Sequence, residues 1–285
     1  MKSKGFEKFW EIVFFICSLV SVASIIVICY FIFSNGLPFI LNYGLSDFLL
    51  GTDWRPTAGN PKFGILPMIM GSIYVTIGAC IVGIPIGVLT AIYLAYFCPD
   101  RIYRFIKPAV NLMAGIPSIV YGFFALMVMV PFIRGFAGGT GMSVFTASVL
   151  LGIMILPTII GLSESSIRSV PRSYYEGSIA LGATHERSVM RIVVPAAKSG
   201  ILAAIILGIG RAIGETMAVI LIAGNQPRMP KGIFKGARTM TANIVIEMAY
   251  AAGAHREALI ATGVVLFIFI LIINLIFNLV KRRMN

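Results

Sequence analysis

A chain of 285 residues that is 58% hydrophobic and 12% charged does not suit a soluble enzyme, whose charged share is about twice as large. A formal charge of +12 would fit a nucleic-acid partner, yet the basic residues sit between and beyond long apolar runs, where they orient membrane spans. The four cysteines (Cys17, Cys29, Cys80, Cys98) lie in or beside those runs without paired spacing, so neither a disulfide framework nor a zinc site is expected.

Six runs approach or exceed the roughly 20 residues that a bilayer crossing needs: 12–33, 66–97, 109–133, 143–163, 199–224 and 258–280. The first follows a short basic stretch, "MKSKGFEK". It is too long for the apolar part of a cleavable signal, about 7–15 residues, and reads as a retained helix. Residues 34–65 come next, with "DWRPTAGNPKFG" rich in turn formers and no periodic pattern. The second run exceeds what a bilayer requires and is expected to tilt, kink or protrude.

Prolines interrupt three runs: Pro85 in "GIPIG", Pro117 in "AGIPSIVYG" and Pro157 in "GIMILPT". Each removes a helical hydrogen bond. Together they suit either non-ideal backbone along an internal path or plain packing kinks. With the amino terminus inside, Lys and Arg are concentrated in the inner segments, which predicts two cytoplasmic termini.

The inner loop between the fourth and fifth runs, about 164–198, is the most informative segment: "SVPRSYYEGSIALGATHERSVMRIVVPAAKSGI". Pro171 suits a first helical turn, and Gly182 can end that helix in a left-handed conformation. Thr184 is placed to cap a second short helix that runs until Pro195, with Glu186 in its first turn. The result is a helix–glycine–helix elbow on the cytoplasmic surface.

The fifth run contains "LGIGRAIGETMAV", with Arg211 and Glu215 four residues apart. An intramembrane arginine costs roughly 2.5–3.5 kcal/mol on insertion scales. Either the pair joins helices within the bundle, or Arg211 serves an anion crossing the membrane. The order Arg then Glu is the weaker orientation for a helical pair. Beyond it, "NQPRMPKGIFKGAR" in residues 225–257 is basic on the outer side. It is an ordinary solvated rim or an attractor for an anion or an acidic surface.

The loop carries a resemblance. "EGS", three residues, Gly182, nine residues, Ile192, one residue, then Val194 and Pro195 resembles the EAA loop of ABC importer permeases, with Glu176, Gly177 and Ser178 in the EAA positions. Glycine in the middle position and valine before the proline are mild departures. Together with "AGIPSIVYGFFAL", "LGIMILPTIIGLSES" and "GRAIGETMAV", residues 63–225 resemble phosphate ABC importer permeases of the PstC type. The resemblance implies an all-α polytopic membrane protein with about six transmembrane helices, the type I ABC importer permease fold and a cytoplasmic coupling elbow. It divides the chain into an N-terminal transmembrane helix and outer loop (1–64) and the permease transmembrane domain (65–285).

By the same resemblance, Tyr175, Glu176, Gly177, Ser178, Gly182, Ala183, Ile192 and Pro195 couple to an ATPase. Arg211, Glu215, Thr216, Pro117 and Ser118 lie along the substrate path. The implied partners are a second permease subunit of the PstA type, two copies of an ABC ATPase, an extracytoplasmic phosphate-binding protein and membrane lipid, with no nucleic acid. The implied location is the cell (inner) membrane. The chain has no Gly-Lys dipeptide and hence no GxxxxGK[ST] loop, so ATP and magnesium belong to the partner ATPase; no catalytic residue, metal or cofactor is expected here. Sulfate or molybdate would also suit one arginine. An ion-coupled secondary transporter would leave the elbow unexplained, and a membrane hydrolase would need a nucleophile–base set or metal ligands, of which HExxH and GxSxG are absent.

Overall fold

A computed structural model describes residues 3–284; Met1, Lys2 and Asn285, the chain ends whose side was inferred from charge, lie outside the described residues. Helix α1 (Ser3–Tyr43) opens the fold and continues ten residues past the apolar run. It is followed by α2 (Leu45–Leu50) and a two-stranded antiparallel ribbon, β1 (Trp54–Arg55) and β2 (Lys62–Phe63). The segment read as irregular therefore holds local structure, and the all-α scaffold carries this one small ribbon among the described residues. The Lys62 ammonium beside Asp53, 3.0 Å away, holds that exposed carboxyl below its ordinary range.

Helix α3 (Leu66–Phe97) ends in a π turn over Tyr93–Phe97. Helix α4 (Asp100–Gly115) and helix α5 (Ser118–Ala137) follow, separated by a break at Ile116 and Pro117. Helix α6 (Val144–Arg168) starts at a Ser143 cap that accepts from the Thr146 amide. The elbow comprises α7 (Arg172–Ala180) and α8 (His185–Ala196), and α9 (Lys198–Gly214) leaves it at a bend of 68°. Helices α10 (Met217–Ile222), α11 (Met240–Met248) and α12 (Ala254–Met284) complete the chain.

Among the described residues five helices are long and apolar enough to cross a membrane, and the bent α8–α9 pair makes six where it is taken as one span. Two of the expected spans need correction. The run 109–133 is not one helix, because Pro117 cannot donate and disfavours a helical residue before it; the crossing helix is α5, and α4 is a separate amphipathic helix with four charged residues near its start. The run 199–224 is broken at Glu215 and Thr216, whose backbone is non-helical. Pro85 and Pro157, by contrast, lie inside continuous helices.

The centre of the fold is the α3–α6 pair. Val75, Ala79, Leu151, Met154 and Ile155 are buried between them with Ala212 and Ile222, and Ser148 Oγ donates to the Val75 carbonyl at 3.3 Å. In lipid, where no hydrophobic force joins helices, such close packing and polar bonds hold them. At the outer end Phe39, Phe48, Trp54, Phe63 and Leu259 form a second cluster joining α1, the ribbon and α12. Beside it, buried Glu247 pairs with Arg238 and His255 and accepts from Trp54 Nε1 at 2.8 Å.

Candidate functional site

Two helix breaks, at Ile116–Pro117 and at Glu215–Thr216, precede helices that touch. The 20-residue α5 and the short α10, which follow them, pack against each other. At their contact a Cβ on Gly122 would lie 2.8 Å from Ala218 Cα, so only a glycine admits the α10 backbone there. Gly122 is four residues past Ser118 and Ala218 three past Glu215, about one turn each. The Tyr121 hydroxyl donates to the Met113 carbonyl at 2.9 Å, a second donor on an oxygen that also accepts the Ile116 amide at 3.4 Å, and so ties α5 back across the break to the end of α4.

Arg211 stands in the last turn of α9, half-buried, and donates from Nη1 to Thr158 Oγ1 at 3.3 Å. Among the described residues this is its only hydrogen bond, and it makes no ion pair. A guanidinium has five donors, so most remain available. The Arg211–Glu215 helical pair, one of the two readings of the sequence, is not formed: Glu215 lies beyond the helix end, with ψ of 130°. Its Oε1 instead accepts from the amides of Thr216 (3.1 Å) and Ala218 (3.3 Å), capping α10 as a side chain caps any helix start. Thr216 Oγ1 turns back to the Gly214 carbonyl. Ser118 is half-buried and Pro117 exposed at the other break.

The elbow has the expected form. Gly182 adopts φ +86°. Its amide donates to the Ile179 carbonyl, and the Ala183 amide donates to that of Ser178, the paired bonds of a Schellman cap. Thr184 then caps α8 by accepting from the Arg187 amide. Helix α8 passes through a π turn at Val189–Val193 and carries Pro195 without ending there.

The candidate coupling residues divide into two groups. Tyr175 faces inward, its hydroxyl 2.7 Å from His185 Nδ1, and Ser178 Oγ lies 2.9 Å from buried Ser188 Oγ. Glu176, Gly177, Gly182, Ile192 and Pro195 are exposed, and Ala183 is half-buried. Leu181, which no motif singled out, is the most exposed apolar side chain on the elbow at 91%. The only sequence hint was an apolar residue directly before the turn glycine.

A second residue escaped the sequence reading. Glu164, near the inner end of α6, is 1% exposed and accepts from Lys107 Nζ (2.6 Å), Tyr103 Oη (2.9 Å) and Arg168 Nε (2.9 Å). The sequence reading places it at the start of the inner loop, about 164–198, without a role of its own. No group of three His, Cys, Asp or Glu side chains among the described residues is placed to hold a metal.

Residues 83–285 match the family described as binding-protein-dependent transport system inner membrane component. A probable ABC transporter permease protein, YqgH of Bacillus subtilis, is 38% identical over 90% of this chain and 86% of its own length. The phosphate transport system permease protein PstC of Mesorhizobium japonicum is 32% identical over 89% and 83%. Among solved structures, a bacterial alginate ABC transporter in complex with an alginate-bound periplasmic protein aligns with TM-score 0.68 at 16% identity, covering 98% of this chain and 96% of that one. The inward-facing MetNI methionine ABC transporter aligns at 0.63 and 21%, covering 78% and 96%. At such identities these two speak for the fold alone.

Proposed function

The chain belongs to the binding-protein-dependent transport system inner membrane component family, the permease subunits of ABC importers, and we propose that it carries inorganic phosphate into the cytoplasm. Seven of its curated relatives are phosphate permeases of the PstC type, from bacteria and an archaeon. It is a multi-pass inner-membrane protein, with transport work driven by ATP hydrolysed on another subunit.

The observation that carries the phosphate reading is Arg211, a fixed cation with unused donors beside two helix breaks. Phosphate is strongly hydrated, and a planar guanidinium offers directional donors to its oxygens. Glu215 already occupies the first amides of α10, so the anion there meets Arg211 rather than the helix end. Ser118, Pro117 and Thr216 complete the path at the two breaks. One long contact to Thr158 leaves the arginine able to bind and release, as passage demands.

Coupling follows from the elbow. Glu176, Gly177 and Leu181 form its outward surface, which docks on the ATPase, while Tyr175, Ser178, Gly182 and Ala183 fix its shape and Ile192 and Pro195 carry it into α9. The working complex holds this chain, a PstA-type permease, two ATPase copies binding ATP and magnesium, and an extracytoplasmic phosphate-binding protein. Residues 65–285 are the permease unit, which contains the family match at 83–285, and 1–64 are an N-terminal transmembrane helix and outer loop.

Phosphate uptake into membrane vesicles, with and without this subunit, tests the reading. ATP-dependent uptake that requires the subunit and is not competed by sulfate is expected. Uptake of sulfate in place of phosphate would overturn it.

A further inference from the structure

We propose that Glu164 is a positioning residue: a charged latch that makes the amphipathic helix α4 move with the elbow during turnover. It rests on the reading of the chain as an ABC importer permease, not on which anion is carried.

Two helices meet at this carboxylate, and a third is joined to it through Arg168. Lys107 and Tyr103 reach it from α4, and Arg168 from the last turn of its own helix. Arg168 also donates from Nη2 to the Leu94 carbonyl in the π turn of α3, at 2.7 Å, and its guanidinium lies 5.0 Å from the centre of the Tyr103 ring. Around them Leu94, Val110 and Ile160 form a dry cluster. The elbow begins immediately after Arg168, and its His185 ring packs on Phe97, centroids 4.8 Å apart, at the end of the same α3 π turn. Both sides of the elbow are thus fastened to the region that Glu164 organises.

Helix α4 leads from there to the path. Its 16 residues span about 24 Å, and its far end is the break at Pro117, where Tyr121 holds the Met113 carbonyl. Opening the latch would strand a buried carboxylate, which is strongly unfavourable once its partners leave. The joint therefore transmits motion instead of yielding, and α4 acts as a lever between the elbow and the first break.

The test uses the complete importer in lipid vesicles, with phosphate uptake and ATP hydrolysis measured together. Tyr103→Phe keeps the ring and its packing while removing one donor; Lys107→Met and Glu164→Gln remove a charge each. Phosphate moved per ATP should fall about threefold in Tyr103→Phe and about tenfold in the other two, with hydrolysis within about twofold of wild type. Lys107→Met added to Glu164→Gln should cost little more, because the groups act together. A merely structural role predicts that uptake and hydrolysis fall in proportion with the amount of assembled complex. An unchanged ratio in Tyr103→Phe and Lys107→Met overturns the latch, even if Glu164→Gln fails to assemble. A second readout needs no anion: spin labels at Leu112 and Arg172 should keep one separation with and without ATP in wild type. In Lys107→Met that separation should change with ATP. The same ATP response in both proteins overturns the latch, whereas absent wild-type phosphate uptake overturns only the phosphate reading.

Discussion

Across the turn at Gly182, the Tyr175 hydroxyl lies 2.7 Å from His185 Nδ1, and the His185 ring rests edge-on against Phe97. The two short helices are thereby tied to each other and to the inner end of α3. A rigid elbow transmits force, whereas a hinged one absorbs it.

Tyr175→Phe isolates that bond. The ring contacts to Tyr96 and His185 survive, and the lost hydrogen bond is worth about 0.5–1.5 kcal/mol. Amide exchange over 172–196 should quicken by a matching factor of a few. Tyr175→Ala, which also removes the ring contacts, should quicken it further and lower uptake. Identical exchange in Tyr175→Phe and wild type would show that the bond does not hold the elbow.

Gly182 tests the turn itself. Nothing lies within 4 Å of a Cβ placed there, so a side chain meets no neighbour and the whole penalty is conformational. For a branched residue at φ +86° that penalty is about 1–2 kcal/mol or more. Gly182→Val should weaken co-purification with the ATPase and lower uptake, while Gly182→Asn, which tolerates this region, should stay close to wild type. Equal behaviour of the two variants would show that backbone handedness at 182 is irrelevant to coupling.

The crossing of α5 and α10 gives a third expectation. A Cβ at Gly122 would lie 2.8 Å from Ala218 Cα and 2.9 Å from Leu221 Cδ1, and overpacking of this kind costs about 1–3 kcal/mol. Gly122→Val should push the two helices apart and reduce uptake by about tenfold, with the subunit still present in the membrane. Gly135→Ala on the same helix, where a Cβ meets nothing, should be silent. Normal uptake by Gly122→Val would separate this contact from the path.

Much of this was legible because the signals are local. Apolar runs mark spans, and Gly182 and Thr184 supply backbone freedom and a cap where the chain needs them. The break at Glu215 was hidden, since "GETMAV" holds no proline and glutamate is a good helix former; its carboxylate does better by turning to the α10 amides. Helix α4 was hidden for a related reason: its apolar second half, with exposed Leu112, runs straight into the apolar α5, so the end of an amphipathic helix looked like the start of a crossing. Glu164 depends on partners 57 and 61 positions away, a distance that periodicity does not read.

The last expectation concerns the charge inside the membrane. Because the Arg211 guanidinium hydrogen-bonds only Thr158 among the described residues and keeps most of its donors free, Arg211→Gln should nearly abolish phosphate uptake at normal membrane abundance. Arg211→Lys keeps the charge without the planar fork and should be intermediate. Glu215 answers differently, since it caps α10 instead of pairing with the arginine. A glutamine oxygen can accept the same two amides, so Glu215→Gln should transport far better than Glu215→Ala, which loses a cap worth about 0.5–2 kcal/mol. Exchanging the two side chains (Arg211→Glu with Glu215→Arg) should restore nothing, because there is no pair to reverse. Uptake and abundance must be measured together for all five variants. Full transport by Arg211→Gln would remove the arginine from the path, and recovery of uptake by the exchange would establish the ion pair that the broken helix denies.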